Sequence, residues 1–457
     1  LLTKTQEDLN KYTLNLRSIL TGHLCQLRNL SNQEELALQT ALPLAQMKIS
    51  MDRILPTEAA SVFMPFNIQE LFNPTGSVYY GLNAVSKNMI MYNRTKGSNF
   101  NGIILGKSGS GKSVFTKEEI AQIALNTNNR IIIIDPEGEY VRLGKAFNAT
   151  VIKVSTSKSE ENFINPLDMD IQYGGDENPL ALKSDYMVTL VESMIGIGNQ
   201  SLNPAFKAII QRVTRLIFKG YMDYMKEKSK EGITCDYSAM PTLVDFYEAL
   251  LKQKEGDAQY LASMIEPYCV GTSDIFAHRT TVDRHNKMII YDVSAMTGAI
   301  KELAMEVCMN DAWNHIITNG KQGYYTNLYI DEFHLFTKTH SSAAFMQNIY
   351  KRARKYRGIP TGITQNVSDL LVNDESLAMI NNCNFIAMFE QSPMDRETLA
   401  RMYNISPALQ EFMKDQGIGV GILYNGKTLI PFESEYPHTD DEMFSLMISD
   451  VHNGKEN

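Results

Sequence analysis

The chain has 457 residues, 44% of them hydrophobic and 21% charged, the balance of an ordinary globular protein with room for two or three compact units. No apolar run approaches the roughly 18 residues that span a bilayer, and no charged-then-apolar leader opens the sequence. A net charge of −9 does not describe a surface coated for nucleic acid, although a local basic patch inside a ring stays compatible with it. Five scattered cysteines (Cys25, Cys235, Cys269, Cys308 and Cys383) form no Cys-x-x-Cys pair. They argue against a disulfide framework or a zinc site and for a reducing compartment. The first residue is Leu1 rather than Met, the expected sign of a piece cut from a longer protein.

In chain order, Leu9, Tyr12, Leu16, Ile19, Leu20, Leu24 and Leu27 fall close to helical spacing. A second helical stretch, Asn32 to Gln46, ends near Pro43. Residues 1–60 therefore read as the helical tail of an upstream N-terminal domain, or as a packing arm. Residues 57–94 alternate short apolar runs with turn signals (Asn73-Pro74-Thr75-Gly76) before Val78-Tyr79-Tyr80-Gly81, as edge strands would.

From Asn101 the pattern becomes strand, helix, strand, helix, the sign of a parallel sheet. Strands are expected at Gly102–Leu105, Arg130–Ile134, Val151–Val154, Met288–Val293, Leu328–Ile330, Thr361–Thr364 and Asn384–Phe389. The unbroken apolar run Ile131–Ile134 fits a strand buried on both faces. A final pair, Gly417–Tyr424 and Lys427–Phe432, is joined by Asn425-Gly426, a two-residue hairpin signal. Between Asp176 and about Arg284 the strand signal gives way to helical spacing at Leu182–Met194, Ala205–Met225, Thr242–Lys252 and Ala258–Tyr268. The expected organisation is a nucleotide-binding domain in two parts, 61–175 and 286–457, with an all-helical insertion over 176–285. Residues His452–Asn457 read as a disordered tail.

The chemistry starts at Asn101–Phe115, NGIILGKSGSGKSVF. Three apolar residues run into Gly106-Lys107-Ser108-Gly109-Ser110-Gly111-Lys112-Ser113, the pattern G-x-x-x-x-G-K-[ST] between a short strand and a helix. Glycines let the amides of this loop, on to Val114, turn inward at a helix N-terminus that favours anions. Lys112 is placed on the β/γ-phosphates of ATP, and the Ser113 hydroxyl on Mg²⁺.

A carboxylate on a neighbouring strand is needed to hold the metal. Asp135, Asp292 and Asp331 all end apolar runs, but only Asp331 is followed at once by a second carboxylate, Glu332. Asp331 reads as the metal-side residue and Glu332 as the base that polarises the attacking water. Asp292 reads as a strand-end turn. Asp135-Pro136-Glu137-Gly138-Glu139-Tyr140 makes a rigid acidic turn at a strand's carboxyl end, where ligands bind in parallel sheets. A supporting role beside the γ-phosphate is assigned to Glu137, with Glu139 and a plain helix-leading acidic turn as the alternatives.

The run Tyr350-Lys351-Arg352-Ala353-Arg354-Lys355-Tyr356-Arg357 leads into a strand that ends at Gln365. Gln365 can orient water or sense the γ-phosphate, and Arg354 or Arg357 can reach a neighbouring subunit's nucleotide as an arginine finger. A basic helix end that satisfies the helix dipole is the simpler alternative. His334 follows the acidic pair and can bond a phosphate oxygen, with packing the commoner reading. His278, Arg279 and Arg284 can make a second contact in trans, with a solvated turn the default; the 24 methionines read as core filler.

With these pieces in order, the chain resembles the conjugation and type IV secretion ATPases of the VirB-four kind (TraC, TrbE and relatives). The resemblance rests on GKSGSGKS at 106–113, IIIIDPEGEY at 131–140, LYIDEFH at 328–334 and RKYRGIPTGITQN at 354–366. A weaker match lies at NCNFIAMF (382–389), and the resemblance also takes in the approach VFMPFNIQELFNPTGSVYYGLN at 62–83, so that it extends over most of the chain. It implies an α/β fold: a RecA-like P-loop NTPase with a mostly parallel central sheet and an inserted all-helical subdomain. It also implies a Mg²⁺-dependent ATPase, hexameric when working, with Lys112, Ser113, Asp331, Glu332 and Gln365 in the roles above and Arg354 as first choice of finger. Partners would be other copies of the chain and the inner-membrane channel and coupling components, with DNA possible in a ring lumen. The location implied is the cytoplasmic face of a bacterial membrane, reached through the full-length protein. A DNA-pumping translocase or coupling protein of the HerA/FtsK branch is the alternative, and a subunit that binds ATP without turning it over is a third.

Overall fold

A computed structural model describes residues 3–23, 26–43, 46–49, 55–61, 68–155, 162–170, 178–196, 202–233, 235–371, 373–434 and 445–447. Leu24, Cys25, the resemblance over 62–67, the start of the expected insertion at Asp176 and the tail His452–Asn457 lie outside the described residues. Packing divides the chain into Leu1–Asn67 and Ile68–Asn457, a few residues beyond the expected 60/61 boundary. The first unit contains helices α1 (Gln6–Gly22), α2 (Glu34–Ala41) and α3 (Thr57–Ser61). Among the described residues no helix is long and apolar enough to cross a membrane.

The second unit is built on a sheet of eleven described strands. They are β1 (Val78–Asn83), β2 (Met89–Tyr92), β3 (Gly102–Leu105), β4 (Arg130–Asp135), β5 (Thr150–Lys153), β6 (Met288–Asp292), β7 (Thr326–Ile330), β8 (Gly358–Thr364), β9 (Phe385–Met388), β10 (Val420–Tyr424) and β11 (Leu429–Glu433). Their order across the sheet is β2-β1-β11-β10-β9-β3-β8-β7-β4-β6-β5. Every pair from β9 to β5 is parallel. The wing from β9 to β2 is antiparallel. This is the mostly parallel α/β sheet expected.

Helices α4 (Lys112–Asn126), α5 (Val141–Ala146), α6 (Pro179–Ile195), α7 (Pro204–Lys228), α8 (Leu243–Leu251), α9 (Gly256–Cys269), α10 (Gly298–Lys321), α11 (His340–Arg352), α12 (Asp374–Asn381), α13 (Pro393–Tyr403) and α14 (Pro407–Gln410) follow. Because side chains alternate along a strand, β4 feeds two cores. Ile131 and Ile133 join Phe115, Ile120 and Tyr140 on one face. Ile132 and Ile134 join Leu303, Met305 and Val307 of α10 on the other. The four helices α6–α9 occupy the stretch between β5 and β6 and share that second core, through Leu190, Ile210, Phe246 and Leu261. A buried ion pair locks the wing side to the centre. Arg94 Nη1 lies 3.2 Å from Glu119 Oε1 of α4, and the guanidinium also donates to Thr361 Oγ1, Phe100 O and Pro360 O.

Three expectations need correction. The last hairpin turns one residue later than Asn425-Gly426. Tyr424 pairs with Leu429, and Asn425 Oδ1 accepts from the amides of Lys427 and Thr428, so Gly426 (φ +85°) and Lys427 form the tip. β8 begins at Gly358, ahead of Pro360, because Thr326 N donates to Arg357 O and starts the ladder there. Arg284 is no solvated turn. Its guanidinium is buried between Asp168 Oδ2 (2.7 Å) and Asp311 Oδ1 (3.1 Å), an ion pair joining the segment after β5 to α10.

Candidate nucleotide site

The loop between β3 and α4 owes its shape to its glycines. Gly109 (φ +79°) and Gly111 (φ +101°) sit in left-handed backbone, which side chains resist. At Gly106 a Cβ would come within 2.7 Å of Phe389 Cβ and Ser110 Oγ. The loop is gripped from the far end of the sequence. Lys107 N donates to Glu390 O (2.9 Å), and Gly419 N to Ser110 O (3.0 Å). Lys107 Nζ pairs with Glu390 Oε1 at 2.8 Å, so Lys107 anchors the loop instead of pointing into it. Ser110 Oγ donates to Lys107 O. Ser108 is exposed, and Ser113 and Val114 are half-buried in the first turn of α4.

Lys112 Nζ donates to Gly106 O and to Lys107 O. Burial lowers its pKa, against the opposing pull of Asp331, Glu332 and Glu139. Those three carboxylates share its field because the sheet order sets β8 between β3 and β7, with β4 next. All four strands end on the same edge.

Asp331 follows β7 and is buried; burial first, then Glu332, Glu139 and Asp135, pushes its carboxyl well above the usual range. Glu332 adopts left-handed backbone (φ 46°, ψ 46°), a costly conformation for a residue with a Cβ. Its Oε1 accepts from Gln365 Nε2 at 2.9 Å, and its Oε2 lies 3.1 Å from His334 Nδ1. The His334 contact is at ion-pair distance but off the line of a good hydrogen bond. Burial alone would raise the Glu332 pKa; contacts with His334 and Gln365 and the charge of Lys112 bring it below its ordinary value. Glu332 is thus held ionised, the state a base requires. Next in sequence, Phe333 is fully buried against β8, where Gly362 makes room for its ring.

The acidic turn after β4 corrects one assignment. Asp135 accepts from the amides of Gly138, Glu139 and Tyr140 and so shapes the turn. Glu137 is directed away and pairs with Lys301 at 2.7 Å. Glu139 is the carboxylate felt by Lys112 and Asp331, and its Oε2 is buried without a hydrogen-bond partner. Asp292 accepts from Ser294 N and Oγ, a strand-end turn.

Arg354 and Arg357 stand at the opposite edge, ahead of β8. Arg354 donates to Ser98 O and lies over the Phe100 ring. Arg357, in left-handed backbone, donates to Gly323 O and lies over Tyr325. Neither shares its own chain's site.

No cluster of three or more His, Cys, Asp or Glu side chains with metal-holding geometry occurs among the described residues. A divalent cation held by one carboxylate, one hydroxyl and phosphate oxygens needs no such cluster. The hard oxygens of Asp331 and Ser113 suit Mg²⁺, and Asp331 stands among surplus negative charge from Glu332, Glu139 and Asp135.

Comparison with known proteins agrees with this architecture. The structure of VirB4 of Thermoanaerobacter pseudethanolicus superposes with a TM-score of 0.69 over 83% of this chain and all of its own, at 22% identity, a likeness of fold. The plasmid coupling protein TrwB, in complex with a non-hydrolysable ATP analogue, aligns over 74% of this chain and 87% of its own (TM-score 0.48, 14% identity). An uncharacterized protein of Bacillus anthracis is 22% identical over 315 residues, 62% of this chain and 48% of its own length. The chain thus spans about half the length of that curated relative. Residues 84–398 match the family model described as the TraG P-loop domain, a span that takes in the loop, the acidic turn, Asp331-Glu332 and Gln365. Covering well over half of the sequence, that match means that the chain belongs to the TraG P-loop domain family.

Proposed function

We propose that this chain is the ATP-hydrolysing motor of a conjugative type IV secretion channel, powering its assembly or the transport through it. The observation that carries the reading is the convergence of Lys112, Asp331, Glu332 and Gln365 on one edge of adjacent parallel strands. The fold likeness to VirB4 supports the secretion setting.

In this mechanism the amides of Gly106–Val114 cradle the ATP phosphates and Lys112 neutralises the β/γ oxygens. Ser113 and Asp331 would hold Mg²⁺, which when bound supplies charge neutralisation at the transferring phosphoryl group. Glu332, ionised and fixed by Gln365, takes the proton of the attacking water. Gln365 also registers the γ-phosphate. Arg354, or Arg357 in its place, supplies charge from a neighbouring subunit in a hexamer, consistent with the position of both away from their own chain's loop. The motor works in two sequence-separated parts around the helical insertion, at the cytoplasmic face of a bacterial membrane through the full-length protein. Its partners are channel and coupling components, with DNA a candidate occupant of the ring lumen.

Replacing Glu332 by Gln tests this. ATP binding should persist while turnover falls by about 10²–10⁴-fold; near-normal turnover refutes the assignment. Specific activity that rises with protein concentration is the expected mark of a site completed by a second copy.

A further inference from the structure

His334 has no part in the mechanism above, yet its ring, like the Gln365 amide, stands against the Glu332 carboxylate. Glu332 opens a 3-10 turn, Phe333–Thr337, from left-handed backbone. Its amide donates to Asp331 Oδ1 (3.0 Å), and the neighbouring Phe333 ring is wedged on Gly362. These contacts fix the backbone and leave the carboxylate to be aimed by its own partners. Gln365 holds Oε1 from the strand side. His334 Nδ1 stands 3.1 Å from Oε2, on the more open side, with 28% of its side chain exposed against 18% for Glu332.

We infer that His334 is a positioning residue that fixes the rotamer of Glu332, so that Gln365 and His334 hold the base between them. A carboxylate offers about four lone-pair directions. Gln365 takes one by its hydrogen bond to Oε1, the His334 ring stands against Oε2 at ion-pair distance, and each oxygen keeps a direction free for a water proton. A base set this way need not search for its geometry after ATP binds, and loss of such order is felt in turnover more than in binding. The backbone of His334 has a separate task, since its carbonyl accepts from Thr337 Oγ1 at 2.9 Å. That contact survives any change of side chain, so the variants should fold.

This inference rests on Glu332 being the base, and the experiment separates the two. His334→Ala, His334→Asn and His334→Phe are made in the full chain, alone and with Glu332→Gln. Steady-state ATPase and binding of a fluorescent ATP analogue are read for each. Expected for His334→Ala is a kcat lower by about tenfold or more with KM within about twofold. Asn, whose amide can donate from a similar place, should restore part of the loss, and Phe, which fills the volume without donating, should not. In the Glu332→Gln background His334→Ala should add no further loss. An unchanged kcat in His334→Ala beside a disabled Glu332→Gln enzyme overturns the inference alone. So does rescue by Phe equal to that by Asn, or an additive loss in the double variant. Near-normal turnover of Glu332→Gln overturns the base assignment, and the inference with it.

Discussion

Alanine at position 362 would test how the fold aims Glu332, the proposed base. Gly362 lies within β8, paired with Ile103 of β3 on one side and Ile330 of β7 on the other. Neither neighbour lets the strand shift. A Cβ there would stand 2.7, 2.9 and 3.1 Å from Phe333 Cγ, Cδ2 and Cδ1, whereas carbon contacts settle at about 3.5–4.0 Å. The ring must therefore retreat by the better part of ~1 Å, but it is fully buried and backed by Tyr350, 5.6 Å away between centroids. Overpacking of this kind costs about 1–3 kcal/mol, reduced by up to about 1 kcal/mol because alanine loses less backbone freedom than glycine on folding. A net loss of about 1–2 kcal/mol should lower the melting midpoint by a few degrees in a thermal scan. The larger effect is expected in turnover, because Phe333 adjoins Glu332, the proposed base, and a ~1 Å displacement at a reacting group can cost about 10² in rate. Gly362→Ala should bind ATP normally and hydrolyse it about 10–100-fold more slowly. Trimming the ring with Phe333→Leu in the same chain should return part of the activity. A Gly362→Ala protein with wild-type melting and turnover would refute the proposed link between β8, the Phe333 ring and the base.

Two further outcomes concern buried charge. Arg94→Met or Glu119→Met alone should destabilise the protein by about 3–5 kcal/mol, since each leaves an uncompensated charge at a site where both side chains are at most 4% exposed. The double substitution should cost less than the sum of the two by about 1–3 kcal/mol in chemical denaturation; strict additivity would contradict a direct pair. Glu306, on α10, is raised from 4.5 to about 7 by burial, which hydrogen bonds from Ser193 and Ser342 only partly offset. The folded protein then holds a proton between about pH 4.5 and 7 that the unfolded chain has released, so stability falls as pH rises through that window. The cost reaches about 3 kcal/mol by pH 8. Glu306→Gln should gain in melting temperature over wild type as pH goes from 5 to 8, and parallel curves would refute the argument.

What could be read from the sequence is what local backbone chemistry decides. Gly109 and Gly111 must be glycine to reach their conformations, and the strand before them and the helix after them identify the loop without any tertiary knowledge. Asp331 and Glu332 stood out because a second carboxylate directly after a strand end is uncommon. The choice between Glu137 and Glu139 was not legible, because it depends on Asp135 capping three successive amides and turning the chain by an irregular angle. Arg284 was misread because its partners, Asp168 and Asp311, are brought to it by elements distant in sequence. The strand expected to begin at Thr361 begins at Gly358, so that β8 runs through Pro360 between two neighbours. The Asn-Gly turn slipped because Asn425 spends its side chain on the two amides beyond the tip. His334 stood out only as a residue after the acidic pair that could bond a phosphate oxygen; that its ring faces Glu332 depends on the turn that follows β7.

The grip on the phosphate loop also sets an order of events during synthesis. Glu390 and Gly419, which hold Lys107 and Ser110, emerge from the ribosome some three hundred residues after residues 106–113. Gly419 is itself held by Ser434, whose amide donates to its carbonyl. A nascent chain can therefore form the strand and helix that flank the loop long before it can bind nucleotide well. On the proposed function, triphosphate affinity is a late property, gained when the antiparallel wing closes. Contacts of such long sequence separation are also slow to form, so a released chain should pass through a compact stage that has the sheet and lacks the ligand.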